Sequence, residues 1–135
     1  MTAIATRPLS DSTDSLLRFA LRLDATLTGF LGLVVATMAD PMARLTGLTA
    51  VQEYAIGAVF VLYGLGVYAL AAMPDIRRVG IALVAVNTVN TVALVTVAAA
   101  GLAPLTSAGV AVTLACSAYT AAFAALQYLG VRRLA

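Results

Sequence analysis

The chain contains no histidine, no lysine and no tryptophan, and it has one cysteine among its 135 residues. Without histidine, it lacks the usual imidazole base, the usual proton shuttle and the nitrogen ligand that zinc favours. Cys116 has no second cysteine for an intramolecular disulfide, so we interpret it as a small apolar side chain. The sequence also offers no glycine-rich phosphate loop and no spacing typical of metal ligands. We therefore predict that the protein is not an enzyme and has no catalytic residue, no cofactor-binding residue and no metal site.

Charged residues are scarce, at 10% of the chain, while 62% of the residues are hydrophobic and the mean hydropathy is +1.01. A soluble domain is typically about 45–50% apolar and about 25% charged. Each of four apolar segments is long enough to cross a bilayer as a helix of about 20 residues. These segments cover approximately 16–39, 50–73, 79–100 and 106–129. We predict an all-α integral membrane four-helix bundle, a single membrane domain over 14–135 that follows a short polar tail at 1–13.

Positive charge is distributed unevenly around these segments, because seven of the eight arginines lie on one side of them. The seven are Arg7, Arg18, Arg22, Arg77, Arg78, Arg132 and Arg133, and only Arg44 lies on the other side. Short arginine-rich loops stay in the cytoplasm, so this distribution predicts a multi-pass protein of the bacterial cytoplasmic (inner) membrane with both termini cytoplasmic. The same topological role accounts for the net charge of +2, so we predict no nucleic-acid partner. The lipid bilayer is the expected partner, and the sequence leaves open another membrane protein or a homo-oligomer.

The first apolar segment also has features of a cleaved signal peptide. Its uninterrupted apolar run is short, Arg18 and Arg22 precede it, and 37–39 resembles a weak cleavage site. Against cleavage, leucines and alanines between 16 and 23 extend the apolar face toward the N-terminus. Both arginines can extend along such a helix to the lipid headgroups. We therefore expect the segment to remain as an uncleaved span.

Turn-forming residues separate the four segments. Pro41 is expected to end the first helix, and 41–48 is then the longest loop, which can include one turn at the membrane interface. Thr49 and Gln52 have the spacing of a capping box, which predicts that the second helix begins there. Pro104 contributes to the break between the third and fourth helices.

Asp24 is the most unusual residue within the predicted spans. An aspartate at the centre of a spanning helix costs about 2.5–3.5 kcal/mol and costs less near the end, so its carboxylate should face other helices rather than lipid. Asp24 and Asn87 each precede a proline by 17 residues, which places them at the same depth, and Gln127 lies one turn from the cytoplasmic end. The predicted intramembrane polar cluster comprises Asp24, Thr28, Asn87, Asn90, Thr91 and Gln127.

Two interpretations of this cluster remain open. In the first, interhelical hydrogen bonds fix how the helices pack, and the protein is a structural or accessory membrane protein that binds a lipid or a partner helix. In the second, the protein is a small transporter or channel whose polar pathway passes Asp24 and Asn87. A transporter should have an aqueous cavity that reaches Asp24, whereas an accessory protein should have a closed core and a groove or small-residue patch that faces lipid.

Small residues recur at every fourth position of the last segment. They are Gly109, Thr113, Ser117, Ala121 and Ala125. A stripe of small residues lets a neighbouring helix approach closely, so we expect this face to pack against another helix.

Glu53 and the tyrosines have simple structural interpretations. Glu53 is expected at the outer surface, where its carboxylate suits the N-terminus of the second helix. Tyr63, Tyr68 and Tyr119 lie deeper, and we interpret them as packing residues whose hydroxyls bond to neighbours.

Two stretches of the sequence resemble a known group of proteins. At Leu21-Arg22-Leu23-Asp24-Ala25 and at 126–133 the chain is similar to small, uncharacterised bacterial integral membrane proteins with four predicted spans. This resemblance implies a membrane protein and brings no known activity or site. Members of that group often have a tryptophan shortly after the asparagine of the third helix, and this chain has none, so a role for such an aromatic residue does not carry over.

Overall fold

The computed structural model describes residues 13–134, so the predicted polar tail lies almost wholly outside the described residues. All regular secondary structure between 13 and 134 is helical, which confirms the all-α prediction. The helices are α1 (Ser15–Thr37), α2 (Ala39–Thr46), α3 (Ala50–Leu70), α4 (Ile76–Ala100) and α5 (Ser107–Arg132). Four of them, all except α2, are long and apolar enough to cross a membrane.

The region 41–48 was predicted as a loop, and this prediction was wrong for 41–46, which belong to the helix α2. α1 ends at Thr37, before the proline, and α2 begins at Ala39. Pro41 lies in the first turn of α2, where a helix needs no N–H donor and the fixed φ of proline fits the helical backbone. Gly47, with φ of 89°, ends α2 in the left-handed conformation that glycine adopts without strain.

Side chains cap the beginnings of the later helices. The capping box predicted at the start of α3 is confirmed: Gln52 N donates to Thr49 Oγ1 at 3.2 Å, and Thr49 N donates to Gln52 Oε1 at 2.9 Å. Asp75 and Thr106 accept hydrogen bonds from the first turns of α4 and α5. These caps satisfy amide groups that have no partner within the helix.

The four long helices meet at one end of the molecule, called here the arginine-rich end, where α1 and α4 begin and α3 and α5 finish. Leu17 of α1 contacts both Gly80 and Gly130, and a Cβ at those glycines would lie 2.7–2.8 Å from it. Arg18 Nη1 donates to the carbonyls of Ala71 and Met73, at 2.7 and 3.1 Å. Six of the seven arginines between 13 and 134 lie at this end, and Arg44 lies at the other.

α1 is the central helix. Its most extensive contacts are with α3, it also packs on α5 and less extensively on α4, and α4 packs mainly on α5. Glycines bring α1 and α3 into backbone contact. A Cβ at Gly32 would lie 2.6 Å from the carbonyl oxygen of Gly57, and a Cβ at Gly64 would lie 2.6 Å from that of Ala25. Such close approach between helices requires small residues on both faces.

Buried apolar residues concentrate near the arginine-rich end, while large apolar side chains cover the outside. The core comprises Leu17, Leu21, Ala25, Val67, Ala71, Ile76, Leu83 and Val131. On the outside, Phe30, Val51, Leu62 and Leu65 are between 65% and 78% exposed. Water-soluble bundles place charged and polar residues on such surfaces, so this exterior suits an apolar surrounding.

The predicted small-residue face of α5 packs as expected only in its first half. Gly109 and Ser117 are buried, but Ala121 and Ala125 are exposed, and the buried face continues instead through Gln127. A helix turns roughly 100° per residue, so each step of four residues advances the stripe by roughly 40° around the axis. After several steps, a strict i+4 stripe has rotated away from the neighbouring helix.

Candidate functional site

Asp24 is completely shielded, with 0% of its surface exposed. On α1 it continues the buried stripe that includes Leu17 and Leu21, which lie seven and three residues earlier. Residues at this spacing share one helix face, so the packing of the leucines into the core also carries the carboxylate inward.

Three helices donate hydrogen bonds to one oxygen of this carboxylate. Asp24 Oδ2 accepts from Tyr63 Oη at 3.0 Å on α3, from Asn87 Nδ2 at 3.1 Å on α4, and from Gln127 Nε2 at 2.9 Å on α5. The predicted meeting of Asp24, Asn87 and Gln127 is therefore present in the structure.

The other carboxylate oxygen is held by two hydroxyl groups. Asp24 Oδ1 accepts from Thr28 Oγ1 and from Tyr119 Oη, each at 3.1 Å, and the two hydroxyls lie 2.9 Å from each other. Tyr119 Oη also lies 3.2 Å from the Asp24 carbonyl. Five side chains thus surround the carboxylate and connect α1 to α3, α4 and α5. We call the group the Asp24 cluster; its members are Asp24, Thr28, Tyr63, Asn87, Tyr119 and Gln127.

The amides of Asn87 and Gln127 orient each other. Asn87 Nδ2 donates to Gln127 Oε1 at 3.0 Å as well as to Asp24, and Gln127 Nε2 donates to Asp24. A primary amide has two N–H donors, and Asn87 directs both toward acceptors in the cluster. The three side chains form a closed ring of hydrogen bonds, so each amide orientation follows from the other two residues.

No cation takes part in the Asp24 cluster. The ion pairs of the described residues join Arg18 to Asp14 and Arg78 to Asp75, and neither includes Asp24. Every group that contacts the carboxylate is neutral and can donate. Across residues 13–134, no buried side-chain nitrogen or oxygen atom lacks a hydrogen-bond partner. The cluster is therefore enclosed and internally satisfied.

Thr91 belongs to a neighbouring contact rather than to the Asp24 cluster. Its hydroxyl lies 2.7 Å from Thr120 Oγ1 and donates to the Asn87 carbonyl at 2.8 Å, while Ser117 Oγ donates to the Thr91 carbonyl at 3.2 Å. This contact joins α4 to α5 one turn beyond Asn87. Thr91 is thus close to the predicted cluster without touching its carboxylate.

Asn90 does not join the cluster. It is exposed, and its side chain forms no hydrogen bond with the described residues. An interval of three residues rotates a side chain roughly 60° around the helix from Asn87, and α4 packs mainly on α5. Asn87 therefore faces the core while Asn90 faces away.

Sequence reasoning did not assign the tyrosines to the cluster. Tyr63 and Tyr119 were treated like Tyr68 as packing residues with bonded hydroxyls, yet the first two donate to Asp24 and Tyr68 is 55% exposed. The sequence did contain one signal for their place in the cluster, because a hydroxyl within an apolar segment needs a hydrogen-bond partner. The sequence does not show which tyrosine faces Asp24, because the rotation of each helix depends on its packing.

A second buried acid lies at the end opposite the arginines. Glu53 lies in the first turn of α3, as predicted, but it is only 3% exposed, so the predicted surface position was wrong. Thr46 Oγ1 donates to its carboxylate, and the Thr46 carbonyl accepts from Thr106 N at 2.9 Å. Thr106 Oγ1 also donates to the Leu45 carbonyl at 2.5 Å. These bonds attach α2 to the beginnings of α3 and α5, and the attachment encloses Glu53.

Comparisons with known protein families, with curated proteins and with solved structures found no match. The fold and the site define a class: an all-helical protein with four apolar helices of membrane-spanning length, joined through one enclosed carboxylate. In the part of the chain that the structure describes, no three histidine, cysteine, aspartate or glutamate residues come together as metal ligands. What the Asp24 cluster can do chemically is hold helices together through neutral donors.

Proposed function

We propose that the chain is a multi-pass protein of the bacterial cytoplasmic membrane, crossed by α1, α3, α4 and α5. The length and apolar character of these helices and their exposed apolar surface support this assignment. The accumulation of arginines at one end supports an orientation in which that end, and both termini, face the cytoplasm.

Within the membrane, we assign the protein a non-enzymatic, structural or accessory role, in which the Asp24 cluster holds the four helices in one arrangement. The observation that carries this proposal is the enclosed carboxylate of Asp24, 0% exposed, with donors from four helices. A transport pathway needs solvent access and a carboxylate oxygen that is free for an ion or proton. Asp24 has no exposed surface, and both of its oxygens accept hydrogen bonds.

Asp24→Asn tests this role. An asparagine can keep its amide oxygen where Oδ2 accepts from Tyr63, Asn87 and Gln127, and its NH₂ group then replaces Oδ1 beside the Thr28 and Tyr119 hydroxyls, which must turn from donating to accepting. We expect the variant to fold, with stability reduced by roughly 1–3 kcal/mol. Asp24→Leu leaves Tyr63 Oη and Gln127 Nε2 without an acceptor and weakens the bonding of the other three donors, so it should not yield a folded protein. Asp40→Asn, at an exposed position on α2, is the matched control and should melt like the parent in detergent.

Proton flux distinguishes the structural role from transport. The parent chain and Asp24→Asn are reconstituted into vesicles that contain a pH-sensitive dye, and a pH difference is imposed. We expect both proteins to match empty vesicles. Flux through the parent chain that disappears in a folded Asp24→Asn variant would replace the structural proposal with a transport function.

A further inference from the structure

An apolar groove runs between α1 and α3 on the outside of the molecule, with a volume of about 320 Å³. We call it the α1–α3 groove. Gly29 and Gly64 form its floor, where the two backbones approach each other. Phe30, Leu33 and Leu65 form its walls. From 25 to 33 it extends about 12 Å along α1, close to the roughly 15 Å thickness of the hydrocarbon in one leaflet.

An unpaired positive charge lies just beyond the end of this groove that is nearer the arginine-rich end. Arg22 is exposed, and it takes part in neither ion pair of the described residues. It precedes Thr26 by one turn and Gly29 by two turns, so all three lie on one stripe of α1. Arg18 differs, because Asp14 and two backbone carbonyls already occupy its guanidinium. Arg22 is therefore available to bind an anion on the groove side of α1.

Tyr68 lies at the same level as Arg22, on the α3 wall of the groove. Gly64 of α3 packs beside Ala25 and Gly29 of α1, and the two helices run antiparallel. One turn further toward the arginine-rich end, this register brings Arg22 level with Tyr68. Tyr68 is 55% exposed, and its hydroxyl has no hydrogen-bond partner among residues 13–134. A cation and a free hydroxyl thus flank the same end of an apolar channel.

We propose that the α1–α3 groove binds one acyl chain of an anionic phospholipid, whose phosphate is held by Arg22 and the Tyr68 hydroxyl. The inference rests on the proposed insertion into the membrane. Arg22 lies about one helical turn inside the level of the lipid headgroups. Its long side chain can extend along the helix to reach that level. Guanidinium and hydroxyl groups are the donors that phosphate oxygens accept.

The charges favour an anionic lipid over a zwitterionic one. An ammonium headgroup brings a second positive charge close to Arg22, and among residues 13–134 no free carboxylate lies beside Arg22 to offset the repulsion. Asp14 is paired with Arg18, and Asp24 is enclosed on the core side of α1. The net positive charge at this end of the groove therefore selects a headgroup that carries only the phosphate charge.

The binding test uses the purified full chain in detergent, titrated with phosphatidylglycerol or with phosphatidylcholine of the same acyl chains, and native mass spectrometry as readout. We expect phosphatidylglycerol to bind about tenfold more tightly, and Arg22→Gln to remove that preference. Tyr68→Phe should weaken phosphatidylglycerol binding severalfold, because it removes one hydrogen bond. Arg77→Gln is the matched control: it removes an exposed, unpaired charge at the same end but away from the groove, and it should retain the preference.

A second pair of variants tests the groove itself. Gly29→Leu places a side chain in the groove and should weaken the binding of both lipids, while Gly66→Leu adds the same side chain where a Cβ meets nothing within 4 Å. If Gly29→Leu proves unfolded, Gly29→Ala replaces it, since its Cβ would meet Gly64 at an ordinary 3.7 Å.

Three outcomes overturn the lipid site. Equal losses with Arg22→Gln and Arg77→Gln would show a general surface attraction. Unchanged binding in a folded Gly29 variant would place the acyl chain elsewhere. A shift from dimer to monomer in that variant would show that the groove accommodates a second copy of the chain. Resistance of the parent chain to extraction from membranes by alkaline carbonate, measured separately, distinguishes failure of the lipid site from failure of the proposed membrane insertion.

Discussion

The Asp24 carboxylate illustrates how an acidic side chain becomes compatible with an apolar interior. Its five donors are neutral, and they come from all four long helices. The consequences of substitution are therefore asymmetric. Removing one donor leaves four, whereas removing the acceptor leaves Tyr63 Oη and Gln127 Nε2 with no partner, and an unpaired buried group costs more than one hydrogen bond contributes.

The two tyrosine hydroxyls of the cluster should each contribute a modest amount to stability. Tyr63→Phe and Tyr119→Phe retain the ring and remove one donor to Asp24, so we expect each to lower the free energy of unfolding by about 1 kcal/mol. Tyr54→Phe, at a position 61% exposed, is the control and should have no effect. Chemical denaturation in detergent micelles measures the differences. Losses equal to that of the control would show that the hydroxyls do not bond to the carboxylate.

Asn87 and Asn90 form a matched pair with opposite expectations. Asn87→Leu removes two donated hydrogen bonds inside the cluster and should cost roughly 2–4 kcal/mol. Asn90→Leu removes an exposed amide that bonds to no described side chain, so stability should be unchanged or higher. Melting curves of both variants test this contrast. A large loss in Asn90→Leu, accompanied by a smaller particle, would instead place Asn90 in a contact between copies.

At the scale of the helices, two expectations failed for different physical reasons. The part of the predicted loop from 41 to 46 is helical because proline is tolerated in the first turn of a helix as well as after its end. The small-residue stripe of α5 departs from the packed face because a strict four-residue repeat does not match the helical period. The first failure lies in the local interpretation of a proline, whereas the second lies in the position of a correctly predicted helix relative to its neighbours.

Ser117 and Ala121 test the assigned rotation of α5. Ser117 is buried against α4, so Ser117→Leu should overpack the helix contact and cost roughly 1–3 kcal/mol. Ala121 is exposed on the next turn, so Ala121→Leu, which adds a side chain to the outside, should melt within experimental error of the parent. Equal losses in both variants would mean that the buried face of α5 is broader than the structure shows.

At the scale of the whole molecule, two buried acids lie toward opposite ends of the bundle. The Asp24 cluster joins the long helices in the half nearer the arginine-rich end, and Glu53 with Thr46 attaches α2 at the other end. Between the two acids, glycine contacts join α1 to α3. In the half of α4 that is farther from the arginine-rich end, no residue after Asn87 is buried. The arrangement of α4 therefore depends mainly on the half of the molecule that contains Asp24.

Topology can be tested on the whole chain. The arginine distribution predicts that a reporter fused after Ala135 lies in the cytoplasm and that one inserted within α2 lies outside. Paired reporters that are active only in the cytoplasm or only outside it provide the measurement. Mixed signals at both positions would indicate insertion in two orientations, and a cytoplasmic signal within α2 would show that the assigned topology is wrong.

The sequence by itself determined the number, approximate limits and apolar character of the long helices, because these depend on local hydrophobicity and on turn-forming residues along the chain. It also indicated that Asp24, Asn87 and Gln127 belong together, because each is polar, lies at a similar depth and needs a partner. Only the tertiary structure decided which hydroxyls complete the cluster. Tyr63 and Tyr119 are 39 and 95 residues from Asp24, and Asn90 lies three residues from Asn87 yet faces outward. The physical reason is that depth follows from position along a helix, whereas direction depends on how each helix is rotated by its packing against the others.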